Sequence, residues 1–251
     1  MSKISIQNLN VQYSDGNESL KNINLEIPEN SITILFGPAG GGKSTLLRTL
    51  NRLNDLADVT QISGKVLIDG EDILDRKTDV IALRRKVGMV FARPVVLPLS
   101  IRDNLTYGLE MAGERNAARL NGAVERALRQ AALWEEVHDR LDEPAVSLSG
   151  GQQQRLSLAR VLAMESEIIL LDEPTSGLDP ISTSKVENTL QELKEQYTIV
   201  LVPHSIQQAA RVADLAAFFL QGELIEVAEG KRIFTTPQHQ RTQDYVEGRF
   251  G

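Results

Sequence analysis

Cysteine is absent from the chain, which rules out disulfides, thiolate metal sites and a cysteine nucleophile together. Histidine is scarce: His138, His204 and His239 lie far apart with no ligand-type spacing, so no structural zinc site is expected. No run approaches the ~18–20 apolar residues that a bilayer-spanning helix needs. The most apolar segment, 213–220, carries Asp214 and has only the length of a strand. The opening Met1-Ser2-Lys3-Ile4-Ser5 lacks the apolar core of a secretory leader. The expectation is a chain that stays in the cytoplasm, with any attachment to a membrane supplied by a partner. Nor is there a block of five Lys or Arg residues. With 27 basic against 34 acidic side chains and a net charge of -7, a nucleic-acid partner is not expected.

What is present fits an ordinary globular protein. The 251 residues are 41% hydrophobic and 24% charged, enough for one large α/β domain or two small ones. Residues 4–9 and 23–27 alternate apolar with polar, the pattern of strands in an antiparallel sheet. The stretches 32–36, 168–171 and 198–202 are continuously apolar, as in strands buried on both faces of a parallel sheet. Helical spacing predicts helices over 43–53, 156–164 and 181–197. Leu120, Val124, Ala127, Leu128 and Ala131 make 94–144 mostly helical. Residues 66–68 read as a strand, and 216–227 as a hairpin turning at Gln221-Gly222. Strand and helix alternate at both ends of the chain, with a helical block set between them. The expected fold is α/β, a parallel-sheet nucleotide-binding core carrying an inserted helical subdomain at about 94–165 within a single 1–251 domain.

The chemistry concentrates in three places. Gly37-Pro38-Ala39-Gly40-Gly41-Gly42-Lys43-Ser44 fits Gly, any four residues, then Gly-Lys-Ser/Thr, between a buried strand and a helix. Glycines let successive backbone N–H groups face phosphate oxygens. Lys43 supplies charge for the β- and γ-phosphates, and Ser44 offers a hydroxyl to Mg²⁺. A glycine-rich turn that only resembles this pattern is the bland alternative, and the strand–loop–helix context argues against it. Next, the apolar 168–171 run delivers Asp172 and Glu173. In P-loop ATPases an Asp here holds Mg²⁺, while Glu173, pointing the other way from a strand, can polarise the attacking water. Standing alone, the pair reads equally well as an acidic turn. His204 ends the 198–202 strand, at the sheet's carboxyl edge where ligands bind. That place suits a γ-phosphate sensor, although a lone histidine is often structural.

The third place is Leu148-Ser149-Gly150-Gly151-Gln152, a two-glycine loop opening a helix. By itself it is another helix start able to face an anion. It follows the phosphate loop and precedes the acidic strand, and in that order the chain resembles the ATP-binding cassette superfamily over essentially its whole length. The resemblance implies a RecA-like P-loop NTPase core with an N-terminal antiparallel β subdomain. It implies ATP and Mg²⁺ as ligands, with ATP held by 37–45 (Thr45 included) and the metal by Ser44 and Asp172. Tyr13 matches the aromatic that stacks on adenine, Asp179 the loop after the acidic pair, and His204 the switch histidine. Ser149, Gly150, Gly151 and Gln152 match the signature segment that touches the ATP of a partner subunit. The resemblance therefore implies a homodimer or a pair with a paralogue, two integral-membrane permease subunits, and indirectly a periplasmic or surface solute-binding protein.

Within the superfamily the chain resembles the phosphate-import ATPase subunits, through 20–25, 43–51, 87–91, 131–134, 178–183, 207–211 and the tail from Phe234 through Tyr245 to Gly251. Ala92 departs from the pattern, because most cassette ATPases carry a metal- and water-contacting glutamine there. A methyl group does neither job, so the expectation is that water or a neighbouring group takes its place at some cost in rate or coupling. ATP binding without turnover is the rival. The following Val95-Val96-Leu97-Pro98-Leu99 reads either as a buried connector or as a docking surface for a permease helix. A soluble cassette ATPase of DNA repair, translation or iron–sulfur assembly is the other functional class. Such proteins often carry paired cassettes, coiled insertions or zinc modules, which this sequence lacks.

Overall fold

Alternation separates half-buried strands from wholly buried ones, and both kinds occur in the computed structural model, which describes residues 2–249. Met1, at the head of the leader reading, and Phe250 and Gly251, in the resemblance's tail, lie outside the described residues. The chain opens with β1 (Ser2–Tyr13) and β2 (Glu18–Pro28), antiparallel to each other, then β3 (Ile32–Phe36) and helix α1 (Lys43–Leu50). Strands β4 (Val59–Ile68) and β5 (Glu71–Asp72) complete a four-stranded antiparallel sheet in the order β2-β1-β4-β5. Helix α2 (Val80–Lys86) leads into β6 (Val87–Val90). A helical block follows: α3 (Ile101–Met111), α4 (Ala117–Gln130), α5 (Trp134–Val137) and α6 (Gly150–Ala163). The chain then runs β7 (Ile168–Asp172), α7 (Pro180–Leu193), β8 (Thr198–Val202) and α8 (Ile206–Val212). It closes with the hairpin β9 (Leu215–Leu220) and β10 (Glu223–Glu229) and the short helices α9 (Arg232–Thr235) and α10 (Gln240–Val246).

The main sheet has six strands in the order β10-β9-β3-β8-β7-β6, parallel except for β10. Its parallel strands are apolar throughout because both faces are covered. Ile169, Leu171, Ile199 and Leu201 pack toward the helical side. Ile168, Leu170, Val200 and Val202 pack on the other face, against α1 and the antiparallel sheet. The expected architecture, a parallel core flanked by an antiparallel β layer and an inserted helical block, is the one observed.

Helix α1 matters most for the site. Eight residues are too few for a helix to hold in water, but Leu46, Leu47 and Leu50 are fully buried. Each contributes about 1.5–3 kcal/mol of burial, so tertiary packing sets where the phosphate loop stands. The helix is shorter than the expected 43–53. Asn51 accepts a hydrogen bond from the Leu53 amide, and Arg52 turns to φ +58. This local side-chain bond competes with helix continuation, and a 3₁₀ turn takes over at Leu53–Leu56. Residues 92–99 are likewise irregular instead of helical, and α2 lacked a periodic signal in the sequence.

Candidate functional site

Strand β3 delivers the loop 37–42, and Gly42 sits at φ +95 immediately before α1. Lys43 donates to the carbonyls of Gly37 (2.8 Å) and Pro38 (2.7 Å). Burial lowers the pKa of its ammonium, and Glu173 and Asp172 pull it back upward. Anionic phosphates would do the same more strongly. The Ser44 hydroxyl donates to Asp172 Oδ1 at 3.1 Å, so the two proposed metal-binding oxygens converge from residues 128 apart in sequence. Hard oxygen donors in so small a number suit Mg²⁺, which takes its remaining ligands from phosphates and water. Among the described residues, no group of three or more His, Cys, Asp or Glu could hold a metal ion.

Glu173 differs from the sequence expectation in how it is aimed. Strand β7 stops at Asp172, and Glu173 adopts φ +48 with its amide donating to the Val202 carbonyl at 2.9 Å. A left-handed turn therefore aims the carboxylate, in place of strand alternation. A glutamate in this region carries strain on the order of 1–3 kcal/mol, of the kind concentrated at functional sites. Glu173 lines one cavity with Lys43, Ala39, His204 and Tyr245, and a second with Gly40, Gly41, Gly42, Ser44 and Thr45. The phosphate loop and Glu173 thus line both cavities and His204 the first, while Asp172 meets the loop helix through Ser44.

His204 is exposed at the cleft edge, and its backbone is fixed from below. Its amide donates to Gln208 Oε1 at 2.9 Å, which also accepts from Thr175 Oγ1 at 3.1 Å. Ser205 caps α8 by accepting from the Gln208 amide. Tyr13 stands beside the loop helix, its hydroxyl 3.1 Å from Thr45 Oγ1, and Ser19 Oγ is 2.8 Å from the same atom. The Thr45 hydroxyl thus faces β1 and β2.

The segment 149–152 is elsewhere. Ser149 caps α6 in a reciprocal capping box with Gln152, and none of 149–152 lines either cavity. Asp179 caps α7 and accepts from the Ser182 hydroxyl at 2.6 Å. Ala92 follows Phe91, whose carbonyl accepts from Gln154 Nε2 at 3.0 Å. Gln154 is 2% exposed, so α6 holds the chain at Phe91, where the irregular 92–99 segment begins. In that segment Val96 packs on the core while Val95 is half exposed. It is part connector and part open surface.

Sequence reasoning missed four side chains. Gln154 gave no motif signal, and Tyr245 figured only as part of the resembling tail, with no site role; its ring packs against Phe36 and Phe218 and lines the cavity. Glu136 and Lys185 are separated by 49 positions, yet Lys185 Nζ lies 2.7 Å from Glu136 Oε1. Restoring glutamine at position 92 should raise ATP turnover on the order of tenfold, as recovery of a metal-orienting group does. Phosphate release by Ala92→Gln no faster than wild type would show the vacancy to be filled.

Comparison with known proteins identifies the family. Residues 20–176 match the family model described as ABC transporter. The chain is 53% identical, over 248 residues, to the "Phosphate import ATP-binding protein PstB" of Shewanella denitrificans, covering 99% of this chain and 91% of that one. Among solved structures it resembles cbiO1 of Clostridium perfringens, part of the ABC transporter complex cbiONQ (TM-score 0.82, 28% identity, 99% of this chain and 96% of that one). It also resembles the ATP-binding cassette MJ0796, a dimer bound to ADP and Pi in a post-hydrolysis state (TM-score 0.77, 30% identity, 90% and 98%). A phosphate loop, an acidic strand end and a signature segment, set on this fold and matched across nearly the whole chain, place it: the chain belongs to the ABC transporter family and is one of its ATPases.

Proposed function

We propose that this ATPase powers a phosphate importer, coupling ATP binding and hydrolysis to uptake of inorganic phosphate across the cytoplasmic membrane. The observation that carries the cargo is the 53% identity to a phosphate-import ATPase along 99% of the chain. In this reading 1–251 acts as one nucleotide-binding domain with 94–165 as its helical subdomain. ATP lies on the backbone amides of 37–45, with Tyr13 against the adenine. Lys43 neutralises the terminal phosphates. Mg²⁺, held by Ser44 and Asp172, would polarise the γ-phosphate. Glu173 accepts a proton from the attacking water, and His204 holds the γ-phosphate edge.

The arrangement also argues for pairing. The cleft holds the phosphate loop and Glu173, whereas 149–152 lies outside it. A signature segment aimed at ATP must therefore serve a second subunit, identical or paralogous. Two such subunits close on two nucleotides and reopen after hydrolysis, moving two permease subunits docked near 92–99. In this reading the chain sits at the cytoplasmic face, held there by the permease subunits; no helix among the described residues is long and apolar enough to cross a membrane. A surface solute-binding protein delivers the cargo.

Reconstitution with the neighbouring permease and solute-binding protein in proteoliposomes tests this. ATP-driven accumulation of labelled phosphate is expected, with phosphate release well above a Glu173→Gln control. Accumulation of a different oxyanion alone would overturn the cargo assignment.

A further inference from the structure

One ionic cluster takes no part in the proposed hydrolysis. Glu136, on α5, receives Arg155 in a two-pronged contact, Nη1 to Oε1 at 2.9 Å and Nη2 to Oε2 at 3.0 Å. The same carboxylate accepts from Gln152 Nε2 at 3.0 Å and from Lys185 Nζ at 2.7 Å. Arg155 above all holds the Glu136 carboxyl down at about 2, with Lys185 and Gln152 adding to it. Four donor nitrogens from three side chains thus meet on two oxygens, and they come from the start of α6 and from α7. Arg155 is 3% exposed and also donates to the Ala132 carbonyl at 2.5 Å. This gives the guanidinium the paired, hydrogen-bonded setting that a buried charge requires.

A second contact joins the same two elements. Gly151 approaches α7 so closely that a Cβ there would stand 2.5 Å from Ser182 Oγ, and Ser182 Oγ donates to Asp179. Gly151 and the Ser182 side chain therefore lie in close contact, and Glu136 latches the two helices through Gln152, Arg155 and Lys185. The 179–185 stretch continues from Glu173 within the same chain.

We infer that Glu136 is a positioning residue, clamping the signature segment to the helix that follows the acidic pair so that a shift at one subunit's Glu173 reaches the nucleotide held by its signature segment in the partner. This rests on the two-subunit reading above. It assigns Glu136 no contact with ATP. Its effect is on pairing and on communication between two sites, and the phosphate loop's own affinity is untouched.

The test uses the full chain in a Glu173→Gln background, where ATP-driven pairing is read by analytical ultracentrifugation. Glu136→Gln should raise the ATP concentration for half-maximal pairing about tenfold, the scale seen when a coupling residue that touches no ligand is altered. Binding of a fluorescent ATP analogue by the monomer should stay within about twofold, as for independent distant sites. Lys185→Met cuts only the link to α7 and leaves the Arg155 pair in place, so it carries the test if Glu136→Gln does not fold. It should shift pairing in the same direction, and Lys185→Arg should restore it. If Ser149→Arg blocks pairing while Lys185→Met and Glu136→Gln pair as the parent does, the clamp is overturned alone. If Ser149→Arg also pairs normally, the signature reading falls and the clamp with it.

Discussion

Replacing Glu173 with glutamine is expected to lower ATP hydrolysis by about 10³-fold while nucleotide binding persists, within the 10²–10⁴ range of a lost general base. Glutamine keeps the size of the side chain and tolerates the same backbone. The left-handed turn at φ +48 and the amide bond to Val202 should therefore survive. What disappears is the ability to take a proton from water beside Lys43 and His204, the neighbours that share its cavity. Lys43, Ser44 and Asp172 remain, so ATP should still bind and, in the two-subunit reading, should hold the subunits closed in the paired state. Phosphate release and ultracentrifugation read the two halves. Turnover within tenfold of wild type would remove Glu173 from the reaction.

Gly42→Ala is expected to abolish nucleotide binding and to destabilise the fold by about 2–4 kcal/mol, adding overpacking to backbone strain. The backbone there is at φ +95, and an added Cβ would overlap the Ser19 carbonyl and meet Leu20 Cδ2 at 2.7 Å. Neither neighbour can yield, because Ser19 and Leu20 belong to β2, paired along β1, and Leu20 is 1% exposed. Gly40 is the control. It is also at positive φ, +74, but nothing lies within 4 Å of its Cβ position. Gly40→Ala should therefore cost only about 1–2 kcal/mol of backbone strain. Thermal melts and titration with an ATP analogue distinguish the two. Equal effects would mean that the close approach of β2 plays no part.

The contrast between these glycines shows where sequence reading stops. The spacing of 37–44 marks a phosphate cradle because its residues are neighbours in the chain and their chemistry is local. The buried strands were legible for the same reason, as uninterrupted apolar runs of strand length. The end of α1 at Leu50 was not, since Asn51 and Arg52 break a helix that the leucine spacing would have carried further. Helix α2 was missed because it buries only Leu83 and has no apolar stripe to read. Glu173 was singled out by its neighbour Asp172, and the turn that aims it was not legible.

The amino-acid order by itself determined the chemical inventory: the glycines, Lys43, Ser44, the acidic pair, His204, the signature run and the gap at Ala92. These are short contiguous patterns, and a backbone strand or helix start is enough to present them. Folding alone decided which groups meet across the chain. Ser44 reaches Asp172, Gln154 grips the Phe91 carbonyl, Tyr245 enters the cleft, and Glu136 gathers Arg155, Gln152 and Lys185. Such meetings depend on how two sheets and a helical block pack, and packing energies are summed over the entire core, so no local stretch encodes them.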